Sequence, residues 1–302
     1  MLATIVAVHA QRTPAPMDVL KVHGQVYLIA GPASNAVVQV GDQGVLVVDT
    51  MREQDADALL AAIRTIAGGR PIRYVIDTHA HLNHVGGNAT VSTAGSQLVG
   101  GNFGGQVQGD HAFIVAHEQV LNALSAKTGA ASTLPFAAWP TDTFFQDEKD
   151  MYFNGEGIQL IHEKNAHTDG DILVWFRGSD VIVAGDVFDT TRFPEIDLAR
   201  GGHINGVIEA LNRIVDVAIS EQFTEGGTRV VPGRGRICDE FDVVEYRDMV
   251  TIVRDRIQAL IKKGMTLAQI KVSKPTLDWE PRYGAASGTA LVEAAYKNLG
   301  GR

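Results

Sequence analysis

Three imidazoles fall within six residues in His79-Ala80-His81-Leu82-Asn83-His84, and Gly86-Gly87-Asn88 follows at once. His79 and His81 are two apart, so at the end of an extended segment their side chains leave the same face and offer two ring nitrogens to one cation. The glycine pair lets the backbone turn sharply beneath the cluster. A solvated loop that is His-rich by chance is the alternative. The metal or catalytic role is favoured because imidazole is a common metal ligand and three of them lie so close. Downstream, Asn165-Ala166-His167-Thr168-Asp169-Gly170-Asp171 follows one β-like run and Ala184-Gly185-Asp186 closes another. An imidazole and a carboxylate are thereby supplied from separate strand ends. Cys238 is the only cysteine. It leaves no partner for a disulfide within the chain and none for a thiolate-rich metal site, so any metal is held by His, Asp or Glu.

The elements that must carry these residues can be traced along the chain. Val26-Tyr27-Leu28-Ile29, Val37-Val38-Gln39-Val40 and Val45-Leu46-Val47-Val48-Asp49, with glycine-containing breaks, predict a β-meander. Ala56, Leu59, Leu60, Ile63 and Ile66 recur at the helical period over residues 53–67, and Gly68-Gly69 supplies the stop. A buried-type strand over Ile72-Arg73-Tyr74-Val75-Ile76-Asp77 then runs straight into the histidines and puts them at a strand-to-loop edge. Helices are expected over 115–127, 205–218 and 241–262, and strands over 158–162, 172–176, 181–184 and 229–231. Residues 128–150, with Pro135, Phe136, Trp139, Pro140, Phe144 and Phe145 but no period, are expected to form a long loop bordering a cleft. For His117 and His203 two readings stand side by side, an approach to the cleft and a role in helix capping or at the surface. His9, His23, His111 and His162 are read as structural histidines. Trp279 and Tyr283 are expected to pack on the body.

A chain of 302 residues with 45% hydrophobic and 20% charged residues is an ordinary soluble globular composition, and no apolar run is long enough for a membrane span. The net charge of −9 and the lack of a basic cluster argue against nucleic acid as a partner. The expected partner is a small, anionic substrate, with the oligomeric state left open. Residues 1–11 read either as a remnant of an export signal, Val8-His9-Ala10 fitting a cleavage site, or as an N-terminal strand. A periplasmic or secreted location is the expectation, with the cytoplasm as the alternative. Residues 12–302 are taken as a single domain. Gly100-Gly101-Asn102-Phe103-Gly104-Gly105 lacks the Lys-Ser/Thr ending of a phosphate loop and is read as a mobile loop.

Taken in order, H-x-H-x-N-H-x-G-G-N, A-H-T-D-G-D, G-D and P-G-R-G resemble the metallo-β-lactamase superfamily over nearly the whole chain. The resemblance implies an α/β fold, a four-layer αβ/βα metallo-β-lactamase sandwich with two metal positions at the sheet edges. It implies that His79, His81 and His167 hold a first metal and that Asp186 bridges to a second. The second position in that family uses the Asp of H-x-H-x-D-H, the adjacent His, the bridging Asp and the His of P-G-H-G. Here Asn83, His84, Asp186 and Arg234 stand at those places.

The two departures change the chemistry. A neutral amide is a poor zinc ligand, and a guanidinium has no lone pair to give. One zinc is therefore expected, activating water for hydrolysis of an ester, lactone, thioester or amide-type small substrate, with Asn83, His84 and Arg234 as the catalytic and substrate-binding side chains. Arg234 is expected to pair with Asp186 where the second cation would stand. Two alternatives remain: an iron oxygenase of persulfide-dioxygenase type using His79, His167 and Asp186, and a catalytically degenerate binding protein of the same fold.

Overall fold

The computed structural model describes residues 17–100, 106–127, 129, 132–223 and 226–301. The signal-like run at residues 1–11 lies outside them, as do residues 101–105 of the glycine-rich segment. The described residues open with β1 (Asp18–His23), β2 (Val26–Ala30), β3 (Asn35–Gly41) and β4 (Gly44–Val48), an antiparallel meander as its alternating valines predict. Helix α1 (Ala56–Ala67) follows and ends on Gly68 in the left-handed conformation. It leads into β5 (Ile72–Ile76), which pairs parallel to β4. Two short helices, α2 (Leu82–Val85) and α3 (Asn88–Thr93), carry the chain to a small ribbon of β6 (Leu98–Gly100) and β7 (Gln106–Gln108). It returns as β8 (Phe113–His117), α4 (Glu118–Ser125) and β9 (Asp142–Phe144), which complete a seven-stranded sheet in the order β1-β2-β3-β4-β5-β8-β9.

The second half holds β10 (Glu148–Phe153), β11 (Glu156–Glu163), β12 (Asp171–Phe176), β13 (Val181–Val183) and, after α5 (Ile204–Val217), β14 (Arg229–Val231). These form a five-stranded sheet in chain order. Helices α6 (Glu240–Lys262), α7 (Leu267–Ser273), α8 (Glu280–Tyr283) and α9 (Ala285–Asn298) close the chain.

Strand alternation decides the layers. In β4, Leu46 and Val48 face the second sheet, where Leu160, Val174 and Val183 meet them. Val45 and Val47 face the opposite way onto Leu59 and Ile63 of α1. The outer face of the second sheet, with Ile161, Leu173 and Ile182, is covered by Leu211 of α5, Val250 of α6 and Val292 of α9. Helix, sheet, sheet and helix are thus four layers, the sandwich that the resemblance implied. No helix among the described residues is long and apolar enough to cross a membrane.

Two expectations need correction. The helix predicted over 115–127 begins as strand β8 and turns helical only at Glu118, because Val115 and Ala116 complete a parallel ladder with β5 and β9. The segment read as a long loop over 128–150 contains a 3₁₀ turn at Phe136–Ala138, strand β9 and the start of β10. A three-residue strand shows no period of its own and is fixed by its neighbour. The expected body contacts hold, with Tyr283 only 4% exposed against Phe193 and Tyr246.

Candidate metal centre

Every candidate ligand leaves the same edge of the sandwich. His79 and His81 follow β5, and His81 is the extended residue that opens α2, so Asn83 and His84 ride on the first turn of that helix. His167 lies between β11 and β12, and Asp186 lies in a 3₁₀ turn, Gly185–Val187, after β13. Among the described residues, ligand atoms of His79, His81, His167 and Asp186 lie within 4.8 Å of one another. His79 and His167 are fully buried, and Asp186 is nearly so.

The outer nitrogen of each imidazole is already committed. Thr78 Oγ1 donates to Asp49 Oδ2 at 2.8 Å and so accepts from His79 Nδ1 at 3.0 Å. His81 Nε2 donates to Asp197 Oδ2 at 2.9 Å, and His167 Nδ1 donates to the Glu195 carbonyl at 2.7 Å. These partners assign the tautomers and leave lone pairs on His79 Nε2, His81 Nδ1 and His167 Nε2. The last two face each other at 2.9 Å, and His79 Nε2 is buried with no hydrogen-bond partner. Burial, followed by the neighbouring imidazoles His84 and His167, holds His79 well below the usual histidine range; burial and His167 lower His81. Bare nitrogens converging in a buried site repel one another unless a cation lies among them, so this donor set fits a metal ion.

The second metal position is built differently. His84 Nδ1 lies 2.7 Å from Asp49 Oδ2 and His84 Nε2 lies 3.1 Å from Asp186 Oδ1. Burial alone would lower His84, but Asp186 and Asp49 outweigh it and push the ring up to about 10. Burial would likewise raise Asp186, yet His84 beside it holds the carboxyl well below its ordinary value. The expected partner of Asp186 is therefore corrected: the cation on that carboxylate is His84, with Arg192 behind it at 3.6 Å. Arg234 instead lies 3.8 Å from Asp189, whose oxygens already take Arg192 Nε at 2.8 Å and the Thr191 amide and hydroxyl at 2.7 Å. Asn83 and Arg234 both line a cavity of about 360 Å³ with Ala80, His81, Leu82 and Asp186.

The turn Pro232-Gly233-Arg234-Gly235 runs so close to the site that a Cβ on Gly233 would meet Asp186 Oδ1 at 2.2 Å, so only glycine fits there. Asn35 staples this turn, its amide donating to the carbonyls of Pro232 and Gly235 at 3.0 and 3.1 Å, while the Ser34 hydroxyl donates to the Asn83 carbonyl. Ser34, Asn35, Arg192 and Asp197 were absent from the sequence reasoning, and Asp49 entered it only as the end of a strand. Asp49 had a signal, a carboxylate ending an otherwise apolar strand, and it sits at φ 60, a conformation that a side-chain residue adopts only at a cost. The other candidates lie outside the cluster. His117 and His203 open α4 and α5, accepting from the Gln119 and Asn205 amides at 3.4 and 3.0 Å. His23 binds the Ser179 carbonyl at 2.6 Å and His162 that of Asp169 at 2.8 Å. His9 lies outside the described residues.

Comparison with known proteins agrees with this architecture. The family profile of the Metallo-beta-lactamase superfamily matches residues 29–226, more than half of the chain. A curated relative, the 2,4-dinitroanisole O-demethylase subunit alpha of Nocardioides sp. (strain JS1661), is 24% identical over 170 residues, 56% of this chain and 45% of its own. The chain thus spans less than half the length of that relative. Among solved structures, the stereoselective inverting sec-alkylsulfatase Pisa1 from Pseudomonas sp. superposes with a TM-score of 0.67 at 16% identity, covering 94% of this chain and 50% of that one. A metallo-beta-lactamase from Pontibacter korlensis gives 0.57 at 17% identity, covering 78% and 99%. At such identities the likeness concerns the fold. The family match, the ordered motifs and the donors converging at one sheet edge together establish that the chain belongs to the metallo-β-lactamase superfamily.

Proposed function

We propose that this protein is a mononuclear, zinc-dependent hydrolase of a small substrate with an ester, lactone, thioester or amide-type bond. The observation that carries it is the asymmetry of the two metal positions. Three inward imidazole nitrogens and a carboxylate converge at the first, whereas the second retains only His84 and Asp186, and His84 spends its ring on two carboxylates. His79, His81, His167 and Asp186 would hold the ion, which as a Lewis acid lowers the pKa of water to about 7.

The chain's own residues then have separable tasks. Asp186, kept ionised by His84, is too weak a base to take a proton near neutrality; it orients through hydrogen bonding and charge. His84 is a positioning residue that fixes Asp186 and adds one positive charge behind it. Asn83 can donate or accept a hydrogen bond but cannot take up a proton, so it contributes binding. The third imidazole, His81, in the same cluster favours zinc over the two-His, one-carboxylate face used by non-haem iron oxygenases. The relatives named for an alkyl sulfate and for O-demethylation of 2,4-dinitroanisole support a substrate range wider than β-lactams.

Elemental analysis of the purified protein tests this directly. About one zinc per chain is expected, since a closed set of three imidazoles retains the ion. His167→Ala should lose it, together with hydrolysis of a panel of nitrophenyl esters, lactones, thioesters and secondary alkyl sulfates. Stoichiometric iron would overturn the choice of metal, and a metal-free protein would favour the degenerate binder.

A further inference from the structure

The two residues that depart from the family pattern share a property. Arg234 makes no hydrogen bond through its guanidinium among the described residues; its Nε is buried without a partner and its ion pair with Asp189 is a loose 3.8 Å. The Asn83 carboxamide makes none either, and its Nδ2 is also without a partner. Both line one cavity, next to His81 and Asp186. A buried donor without a partner is costly to a fold, and the two residues that carry such donors line one cavity, which an acceptor from outside the chain can enter.

We propose that the place of the second cation has become an oxyanion-binding subsite made by Arg234 and Asn83. The substrate is then an organic anion with a carboxylate, sulfate or phosphate group beside the bond that is cleaved. This deepens the mononuclear reading above and rests on it. A guanidinium reaches two oxygens of such a group at once, and the amide adds a third donor. The other charges at the cavity are already matched. Asp186 lies between His84 and Arg192, Glu195 is 3.4 Å from Arg192, and Arg200 is bound to Asp197 at 2.6 Å. Arg234 is thus the cation at this wall without a matched carboxylate. The cavity also has an apolar wall of Ala80, Leu82, Ala123 and Leu124, with Leu82 48% exposed. Such a wall takes the organic part of the anion.

Titration calorimetry of the zinc-loaded protein with inorganic sulfate and with hexanesulfonate, whose carbon–sulfur bond resists hydrolysis, reads this subsite. Hexanesulfonate should bind about tenfold more tightly than sulfate through its buried chain. Arg234→Gln should weaken both by about tenfold or more, and Asn83→Leu by about threefold to tenfold. Arg234→Lys keeps the charge without the fork and should fall between; it also serves if the glutamine variant does not fold. His167→Ala, stripped of metal, should retain sulfate binding. Unchanged affinity in both Arg234→Gln and Asn83→Leu would overturn the subsite, as would binding abolished by His167→Ala but kept by Arg234→Gln, which puts the anion on the metal. That last result leaves the hydrolase standing. Conversely, a protein that binds sulfate through Arg234 but no zinc loses the hydrolase and keeps the subsite.

Discussion

At the scale of single residues, hydrogen bonds on the outer side of each imidazole decide which inner nitrogen carries a lone pair. Asp197 does this for His81 while also holding Arg200 and the amides of Ala199 and Arg200, and it is lowered to about 2 by His81 and Arg200 against the opposing effect of burial. Asp197→Ala removes the acceptor and lets His81 turn, so metal affinity should fall about 10–100-fold. Asp197→Asn keeps an oxygen acceptor and should lose less. Competition against a chromogenic chelator measures both, and equal losses would show that charge rather than orientation is what Asp197 supplies. The second metal position gives a complementary prediction. Arg234→His alone adds one imidazole to a site that still lacks a carboxylate at residue 83, so the double change Asn83→Asp/Arg234→His should be required to raise the metal content from about one to about two. A single variant that already binds two would place the block at Arg234 alone.

At the scale of elements, strand ends hold the site, and their pairing brings buried carboxyls together. Glu163 and Asp171 are cross-strand partners in β11 and β12, directly flanking the loop of His167. Burial pushes Glu163 up to about 7, Arg213 at 4.0 Å only partly opposing it, and burial likewise pushes Asp171 up to about 8. With a folded value near 7 against an ordinary 4.5, Glu163 binds its proton more tightly in the folded state. Its contribution is therefore fully present below pH 4.5 and lost as pH rises through 7. Glu163→Gln should match the parent protein near pH 5 and exceed it by about 1–3 kcal/mol at pH 8, read from urea midpoints. A variant less stable at both values would mean that Arg213 holds the ionised form. These elements also show what the sequence could reveal. Apolar alternation in β2–β5 and β11–β13 and the histidine spacing were legible because they are local. β8 and β9 were not, since three to five residues take their conformation from a parallel neighbour. Asp197 and Asn35 were invisible because an isolated Asp or Asn is common, and only the fold brings them to His81 and Pro232; Asp49 closes an apolar strand, but its partner His84 shows only in the fold. Arg234 was found, but its partner was misassigned: Asp186 and Asp189 are three residues apart in sequence, and the choice between them depends on Arg192 and His84.

At the scale of the whole molecule, the two sheets share one inner core and are tied at both ends of their strands. At one end the candidate metal centre joins β5, β11 and β13 through His79, His167 and Asp186, with Asn35 at the start of β3 clasping the turn of Arg234. At the other end Glu156, which opens β11, accepts from Gln39 at 2.6 Å and from the Ser179 amide and hydroxyl at 2.7 and 2.8 Å, while Asn154 donates to Gln39 and to the Gly44 carbonyl. Gln39, Asn154, Glu156 and Ser179 are all buried, so none of these donors can fall back on solvent. Glu156→Ala leaves three donors unpaired and should cost about 3 kcal/mol or more. Because the inner core of Leu46, Leu160 and Val174 is common to both halves, the loss should appear as one cooperative transition moved to lower denaturant, not as separate melting of the two sheets. Metal content at the opposite edge should remain near that of the parent, because its ligands are braced by Asp49, Asp197 and the Glu195 carbonyl rather than by this clasp. Biphasic unfolding would show instead that the two sheets melt separately, and loss of the metal in a variant that is still folded would show that the two ends of the sandwich are coupled.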